Sequence, residues 1–85
     1  MKIKSGFMLR EIAGQWVIVP LGARVVEFNG IMTLSESGAL LWKHLENGAT
    51  EEQLVAVLRA EYDVDEELAK TDVAKFVREI KNKRF

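Results

Sequence analysis

The sequence predicts an α+β fold in which an antiparallel sheet of three to four strands precedes three helices. Up to Leu34, stretches rich in β-branched and aromatic residues alternate with turn-forming pairs, as in short strands. From Ser35 onward, apolar residues recur three and four positions apart, as in helices. We therefore expect one domain over residues 1–85, with a β half at about 6–34 and a helical half at about 35–82.

The first two strands are predicted to form a hairpin. Phe7–Ile12 and Gln15–Val19 flank the turn candidate Ala13-Gly14. Pro20 should end the second strand because proline has no backbone N–H to donate. A turn at Leu21–Ala23 should follow.

A second hairpin is the strongest local signal in the sequence. Asn29-Gly30 tolerates the positive φ angles of a two-residue type I′ turn, and it joins Arg24–Phe28 to Ile31–Leu34. One of these two strands should lie at the edge of the sheet, and the pattern leaves open which of them does.

Capping residues mark the start of the first two predicted helices. The Ser35 hydroxyl can accept from a backbone N–H two or three residues on, and this helix should run to Glu46, before Asn47-Gly48. Thr50–Gln53 has the spacing of a capping box at the start of the second helix. The residues expected on the buried sides are Leu41, Trp42, Leu45, Leu54, Val57, Leu58 and Tyr62.

The third predicted helix follows Asp65 as its cap and has an apolar face that is too wide for one seam. This face contains Leu68, Ala69, Val73, Phe76, Val77 and Ile80. We expect Leu68 to dock on the other helices, while Val77 lies toward their edge and leaves apolar surface to cover something else. The end, Lys81–Phe85, is expected to fray.

Composition and charge narrow the possible partners. The 85 residues include no cysteine, which excludes disulfides and thiolate metal sites, and no stretch resembles a signal peptide or a membrane span. We therefore expect a cytoplasmic protein with no membrane partner. Residues 33–72 hold ten acidic and three basic side chains, whereas residues 73–85 hold one acidic and five basic. A basic end beside an acidic middle suits an acidic peptide or a nucleic acid.

No set of residues carries a catalytic or cofactor motif. His44 is the only histidine, it has no neighbouring ligands, and no triad can be built from it. The acidic run Asp63–Glu67 lacks the glycine and the ligand spacing of an EF-hand. The six glycines form no phosphate-binding motif. We expect no enzyme activity, no metal and no cofactor, so that function should reside in a binding surface.

One hypothesis is strand addition, in which an extended peptide pairs with the open edge of the sheet and packs against the third helix. Apolar residues of that helix would line the pocket, and its basic side chains would pair with acidic side chains of the peptide. The predicted peptide-binding residues are Val25, Val26, Glu27, Phe28, Ile31, Met32, Thr33, Lys70, Val73, Lys75, Phe76, Val77, Arg78, Ile80 and Lys81. For each of them, burial in the core or plain exposure to solvent is the alternative.

The other hypothesis is a DNA-binding winged helix, in which three helices and a hairpin present a basic third helix to the duplex. A sequence pI near 5.8 and an acidic second helix make only a weak phosphate footprint. The charge distribution therefore argues against a nucleic acid and favours a peptide as partner.

An ordered set of motifs resembles the PqqD family. It comprises Leu34–Trp42, then Asn47–Thr50 before the second helix, Tyr62–Val64 after it, and Asp72-Val73 with Phe76 in the third helix. The resemblance runs from about residue 7 to residue 80.

The resemblance implies a RiPP recognition element, a winged helix-turn-helix-like domain of three strands and three helices without activity of its own. Such domains bind the leader segment of a ribosomally synthesised precursor peptide and present its core to a modifying enzyme, often a radical SAM protein. In the family, the leader pairs with the third strand and packs against the third helix. Here this points to the strand leading into Leu34, or its hairpin partner, and to the helix around Asp72–Val77. A homodimer through the same edge stays open as an alternative.

Overall fold

Three antiparallel strands precede three helices in the computed structural model, which describes residues 1–23, 32–83 and 85. The strands are β1 (Phe7–Ile12), β2 (Gln15–Pro20) and β3 (Met32–Leu34), and they lie side by side in that order. The predicted α+β fold is therefore confirmed. The second hairpin, with a fourth strand over Arg24–Phe28 and a turn at Asn29-Gly30, lies outside the described residues.

Strands β1 and β2 form the predicted first hairpin. Phe7 lies opposite Pro20, which is the last residue of β2 as expected. Both turn residues have positive φ angles, 52° at Ala13 and 79° at Gly14. Positive φ at both positions is the geometry of a type I′ turn, whose twist matches that of the flanking strands.

Strand β2 is central because β3 pairs with its other side. Trp16 lies opposite Leu34, and Ile18 lies opposite Met32. Side chains alternate between the two faces of a strand, so these four residues share one face, and all four pack in or against the hydrophobic core. Thr33, which lies between Met32 and Leu34 in the sequence, is exposed.

The helices are α1 (Glu36–Glu46), α2 (Glu51–Glu61) and α3 (Glu66–Asn82), and each follows its predicted cap. The Ser35 hydroxyl accepts from the backbone N–H of Gly38 at 3.1 Å, and the Asp65 carboxylate accepts from the N–H three residues on at 2.8 Å. Thr50 and Gln53 form a complete capping box, with hydrogen bonds of 3.1 and 2.9 Å in the two directions. The local signals at all three helix starts are confirmed.

Helix α1 carries the centre of the core. Trp42 and Leu45 are fully buried, at 0% exposure. The Trp42 ring makes T-shaped contacts with Phe7 and Phe85, with centroid distances of 6.3 and 5.3 Å. Aromatic pairs in this geometry add stabilisation beyond the area that they bury. The other core residues of the helices include Leu41, Leu54, Leu58, Ala69, Val73, Phe76, Val77 and Ile80.

Two predictions about the apolar face of α3 are wrong. Leu68 does not dock on the other helices and is 48% exposed, whereas Val77 is only 4% exposed and belongs to the core. The reason is the helical period. At about 100° per residue, Leu68 points about 140° away from Val73, at the middle of the buried face, but Val77 lies only about 40° from it.

The predicted fraying of the C-terminal end is also wrong. Helix α3 continues to Asn82, and the Phe85 ring is 8% exposed because it fills the space beside Phe7 and Trp42. The Phe85 backbone N–H donates to the Ile80 carbonyl at 3.0 Å. Phe85 is thus part of the core.

The N-terminal segment, Met1–Lys4, packs beside this C-terminal end. The Lys4 backbone N–H donates to a main-chain oxygen of Phe85 at 2.8 Å, and the Ile3 N–H donates to the Leu45 carbonyl at 3.1 Å. Ile3 is 7% exposed and belongs to the core. These contacts join residues that are more than 40 positions apart in the sequence, so no local pattern predicted them.

We expect Phe85→Ala to lower the free energy of unfolding by about 3 kcal/mol, because it removes a buried ring that contacts two other aromatic side chains. Urea unfolding followed by tryptophan fluorescence measures the change. Lys83→Ala is the matched control, since its side chain is exposed and the cost should stay within about 0.5 kcal/mol. Equal stability of Phe85→Ala and the wild type would contradict the packing described for this end.

Candidate peptide-binding groove

Strand β3 forms one edge of the sheet in the described part of the chain, where β2 is its only strand partner. An antiparallel strand directs alternate backbone N–H and C=O groups to its two sides. Half of the backbone groups of Met32–Leu34 therefore point away from β2. Such an edge can pair with an extended peptide.

A cleft of about 320 Å³ lies where β3 ends and connects this end to α3. We call it the terminal cleft. Asp72 of α3 lines it together with Tyr62, which follows α2, and with residues at the start of α1. The complete lining is Ser35, Glu36, Ser37, Leu58, Tyr62, Val64 and Asp72. The cleft therefore adjoins both the residue that follows β3 and one flank of α3.

A larger cleft of about 570 Å³ adjoins the terminal cleft and shares Ser35, Glu36 and Tyr62 with it. We call it the hairpin cleft because it extends to the turn between β1 and β2. Three carboxylates line it, those of Glu11, Glu36 and Glu61. Its one lysine, Lys43, lies with its ammonium 4.4 Å from the centroid of the Trp16 ring, a cation–π contact.

Tyr62 is shared by the two clefts, and its environment favours the neutral phenol. Desolvation by burial raises the pKa of Tyr62, and the negative charges of Glu36 and Glu61 raise it further. In the terminal cleft the phenol is therefore a hydrogen-bond donor throughout the physiological pH range.

We expect the pKa of Tyr62 to lie above the value of free tyrosine, about 10. Tyr62 is the only tyrosine, so ultraviolet absorbance of the tyrosinate reports it directly. Because the folded-state pKa is raised, the contribution of this group to stability is complete below about pH 10 and is lost as the pH rises through the folded-state value. Glu36→Gln with Glu61→Gln should lower the pKa, whereas Glu46→Gln should not. An unchanged pKa in the double variant would contradict the electrostatic contribution.

None of the predicted basic residues of α3 lines the terminal cleft. Asp72 lines the terminal cleft, whereas Lys70 lies about 160° around the helix, pairs with Glu66 at 3.2 Å and lines a cleft with α2. Lys81, nine residues after Asp72, lines a pocket with the N-terminal segment. Lys75 and Arg78 are exposed between these flanks. The predicted basic set therefore lies away from the flank that meets the terminal cleft.

The predicted apolar residues of α3 lie in the core. Val73, Phe76, Val77 and Ile80 are 1%, 8%, 4% and 1% exposed, respectively. They hold α3 against the rest of the domain and so fix the position of the flank that carries Asp72. Their contact with a peptide stays a prediction.

Of the predicted strand residues, the structure describes only two. Met32 is half-buried against the core and Thr33 is exposed on β3. The remaining predicted residues, Val25, Val26, Glu27, Phe28 and Ile31, lie outside the described residues.

Several residues of the terminal cleft were absent from the predicted set. Tyr62 is the clearest case. Asp72 was not in that set either, but the family resemblance had already pointed to the helix around it. Both residues belong to the motifs that resemble the PqqD family. The motif positions were therefore a better guide to the cleft than the pattern of positive charge.

The described ranges contain no group of three or more His, Asp or Glu side chains that could hold a metal ion. Over the same ranges, no helix combines the length and the hydropathy that a membrane span requires.

Comparisons with known proteins show a family and solved structures of similar fold. The chain is similar to the solved structure of TbiB1 in complex with the TbiA(β) leader peptide, with 28% sequence identity, a TM-score of 0.76, and coverage of 99% of this chain and 92% of that chain. It shares the fold of a lasso peptide synthetase B1 complexed with the leader peptide, at 20% identity, a TM-score of 0.73, and coverage of 95% and 89%.

No curated protein sequence matches the chain significantly. The family profile of coenzyme PQQ synthesis protein D (PqqD), however, matches residues 15–85. The resemblance found in the motifs is thereby confirmed. Since the match covers most of the sequence, this chain belongs to the PqqD family.

Proposed function

We propose that this protein binds the leader segment of a ribosomally synthesised precursor peptide by strand addition to β3. Backbone pairing along Met32–Leu34 supplies affinity, and the terminal cleft holds the part of the peptide that continues past Leu34. The observation that supports the proposal most directly concerns β3. In the described part of the chain this strand pairs only with β2, and it ends at a cleft that α3 also lines. Family membership and the similarity to TbiB1, solved with a leader peptide, support the same function.

With the leader peptide bound, this protein acts as an adaptor that has no catalytic activity of its own. Holding the leader raises the effective concentration of the precursor at the enzyme that modifies it. That enzyme is of the lasso peptide synthetase type or a radical SAM protein. The chain acts as one binding domain in the cytoplasm, where the precursor is made. A homodimer through β3 would compete with the peptide for the same edge.

Binding of DNA is disfavoured by the charge around the same edge. Glu36 and Asp72 line the terminal cleft, and Glu11 and Glu61 add negative charge in the hairpin cleft. A duplex approaching β3 would meet these carboxylates with its phosphates, and like charges repel.

The salt dependence of binding tests the proposal. We use the TbiA(β) leader peptide, labelled with a fluorophore, and a labelled random-sequence duplex as probes in fluorescence anisotropy. The leader peptide is expected to bind with an affinity that changes by less than about threefold between low and physiological salt, since backbone pairing does not depend on ions. Binding of the duplex alone, with a steep loss at higher salt, would overturn the peptide proposal.

A further inference from the structure

A separate pocket lies at the end of the helical layer that is opposite the terminal cleft. It has a volume of about 310 Å³ and is lined by Met1, Lys2, Lys4, Ile80, Lys81 and Phe85. We call it the basic pocket. It shares no lining residue with the terminal cleft or the hairpin cleft. The terminal cleft lies at the start of α1, whereas the N-terminal segment that walls the basic pocket is bonded to the end of α1, at Leu45.

The walls of the basic pocket are held by backbone hydrogen bonds. The N-terminal wall is tied to Phe85 through the Lys4 N–H at 2.8 Å, and Phe85 is tied to α3 through the Ile80 carbonyl at 3.0 Å. The Phe85 ring is fixed in addition by its contacts with Phe7 and Trp42. The pocket is therefore formed before any partner binds, which lowers the entropic cost of binding.

The chemistry of the basic pocket combines an apolar floor with a cationic rim. Ile80 and Phe85 are 1% and 8% exposed, whereas Lys2, Lys4 and Lys81 are exposed. No Asp or Glu side chain lines the pocket, and in the part of the chain that the structure describes these three lysines form no ion pair. Three cations around a concave apolar surface are complementary to carboxylates that flank an apolar side chain.

We infer that the basic pocket binds an acidic segment of a protein partner, with one apolar side chain on the Ile80–Phe85 floor and carboxylates on the lysines. The small volume fits one side chain rather than an extended surface such as a duplex or a membrane. This site is separate from the β3 edge, so the protein can hold a leader peptide and a second partner at the same time.

The test titrates the full chain with the acetylated and amidated peptide Glu-Asp-Phe-Leu-Asp-Glu, followed by ¹H–¹⁵N NMR spectroscopy. We expect binding with a dissociation constant of about 1 mM or tighter. The largest shift changes should occur at Lys4 and Lys81, and not at Met32–Leu34. The neutral peptide Gln-Asn-Phe-Leu-Asn-Gln should bind about tenfold more weakly or worse, because it lacks the charge-assisted contacts.

Two matched variants separate a local effect from a general effect of charge. Lys81 and Arg59 each lie in the last turn of a helix, and each is exposed. Lys81→Glu should weaken binding of the acidic peptide by about tenfold, whereas Arg59→Glu should change it by less than about twofold. Circular dichroism of both variants checks that they remain folded.

Three results would overturn the inference: no shift change at about 5 mM acidic peptide, equal binding of the neutral peptide, or equal weakening by the two variants. Tighter binding of a DNA duplex or of phosphatidylserine vesicles at the same residues would also overturn it, because the ligand of the pocket would then be a different polyanion and not an acidic protein segment. Thr33→Pro, which targets β3, should leave binding of the acidic peptide unchanged, so that failure of strand addition and failure of the basic pocket are distinguished.

Discussion

Trp42→Ala is expected to lower the free energy of unfolding by about 3–5 kcal/mol, the usual cost of deleting a large buried aromatic side chain. Trp42 is 0% exposed, and its ring contacts the ring of Phe7 in β1 and the ring of Phe85 near the C-terminal end. Domains of this size have a total stability of only about 5–15 kcal/mol. The variant should therefore unfold at a much lower urea concentration, or fail to fold at all.

Trp42→Phe should cost far less, about 1 kcal/mol. The reason is that the indole Nε1 of Trp42 is buried and has no hydrogen-bond partner among the described residues. A buried donor without a partner is itself destabilising by about 1–3 kcal/mol, so its removal offsets part of the lost packing. Urea unfolding followed by circular dichroism compares both variants with the wild type. Equal destabilisation by phenylalanine and alanine would contradict this description of the indole.

Thr33→Pro is expected to weaken binding of the leader peptide by at least about tenfold. Proline removes one backbone N–H from β3 and places its ring against whichever neighbour that N–H faced. If the N–H faces the open edge, the peptide loses a partner directly. If it faces β2, the edge on which the peptide would pair is displaced. Titration of the labelled TbiA(β) leader peptide measures the effect.

Thr33→Val is the control, because it keeps the backbone N–H and replaces an exposed side chain by another β-branched one. It should bind the leader with the affinity of the wild type. Thermal unfolding of the proline variant separates its two explanations: an unchanged Tm assigns the N–H to the open edge, and a lowered Tm assigns it to β2. Wild-type affinity in Thr33→Pro would exclude strand addition at β3.

The predictions that succeeded concern interactions over a few residues. The caps at Ser35, Thr50 and Asp65 and the turn at Ala13-Gly14 were each read from neighbouring residues and are confirmed. Each involves atoms at most a few positions apart in sequence, so the residue types present are sufficient to specify it. Leu68 shows the weakness of the same reasoning, since its place on a broad apolar face was assigned without knowing which side of α3 meets the core.

For the candidate site too, some features could be predicted from neighbouring residues and others could not. The sequence predicted that α3 takes part, and its motifs contained Tyr62 and Asp72, but the positive charges suggested a single basic surface. The orientation of α3 was needed to place Asp72 at the terminal cleft and Lys81 in the basic pocket. A helix buried along one face presents two flanks, and neighbours distant in sequence determine what each flank meets.

For this protein, the amino-acid sequence alone specified the order and the starts of the helices, the first hairpin and the family. The tertiary structure was required for the burial of Phe85, the packing of Met1–Lys4 and the separation of the clefts from the basic pocket. The physical reason is the separation in sequence between the residues that interact. Turns and caps are bonds between near neighbours, whereas the contact of Lys4 with Phe85 joins opposite ends of the chain and forms only once the core has brought them together.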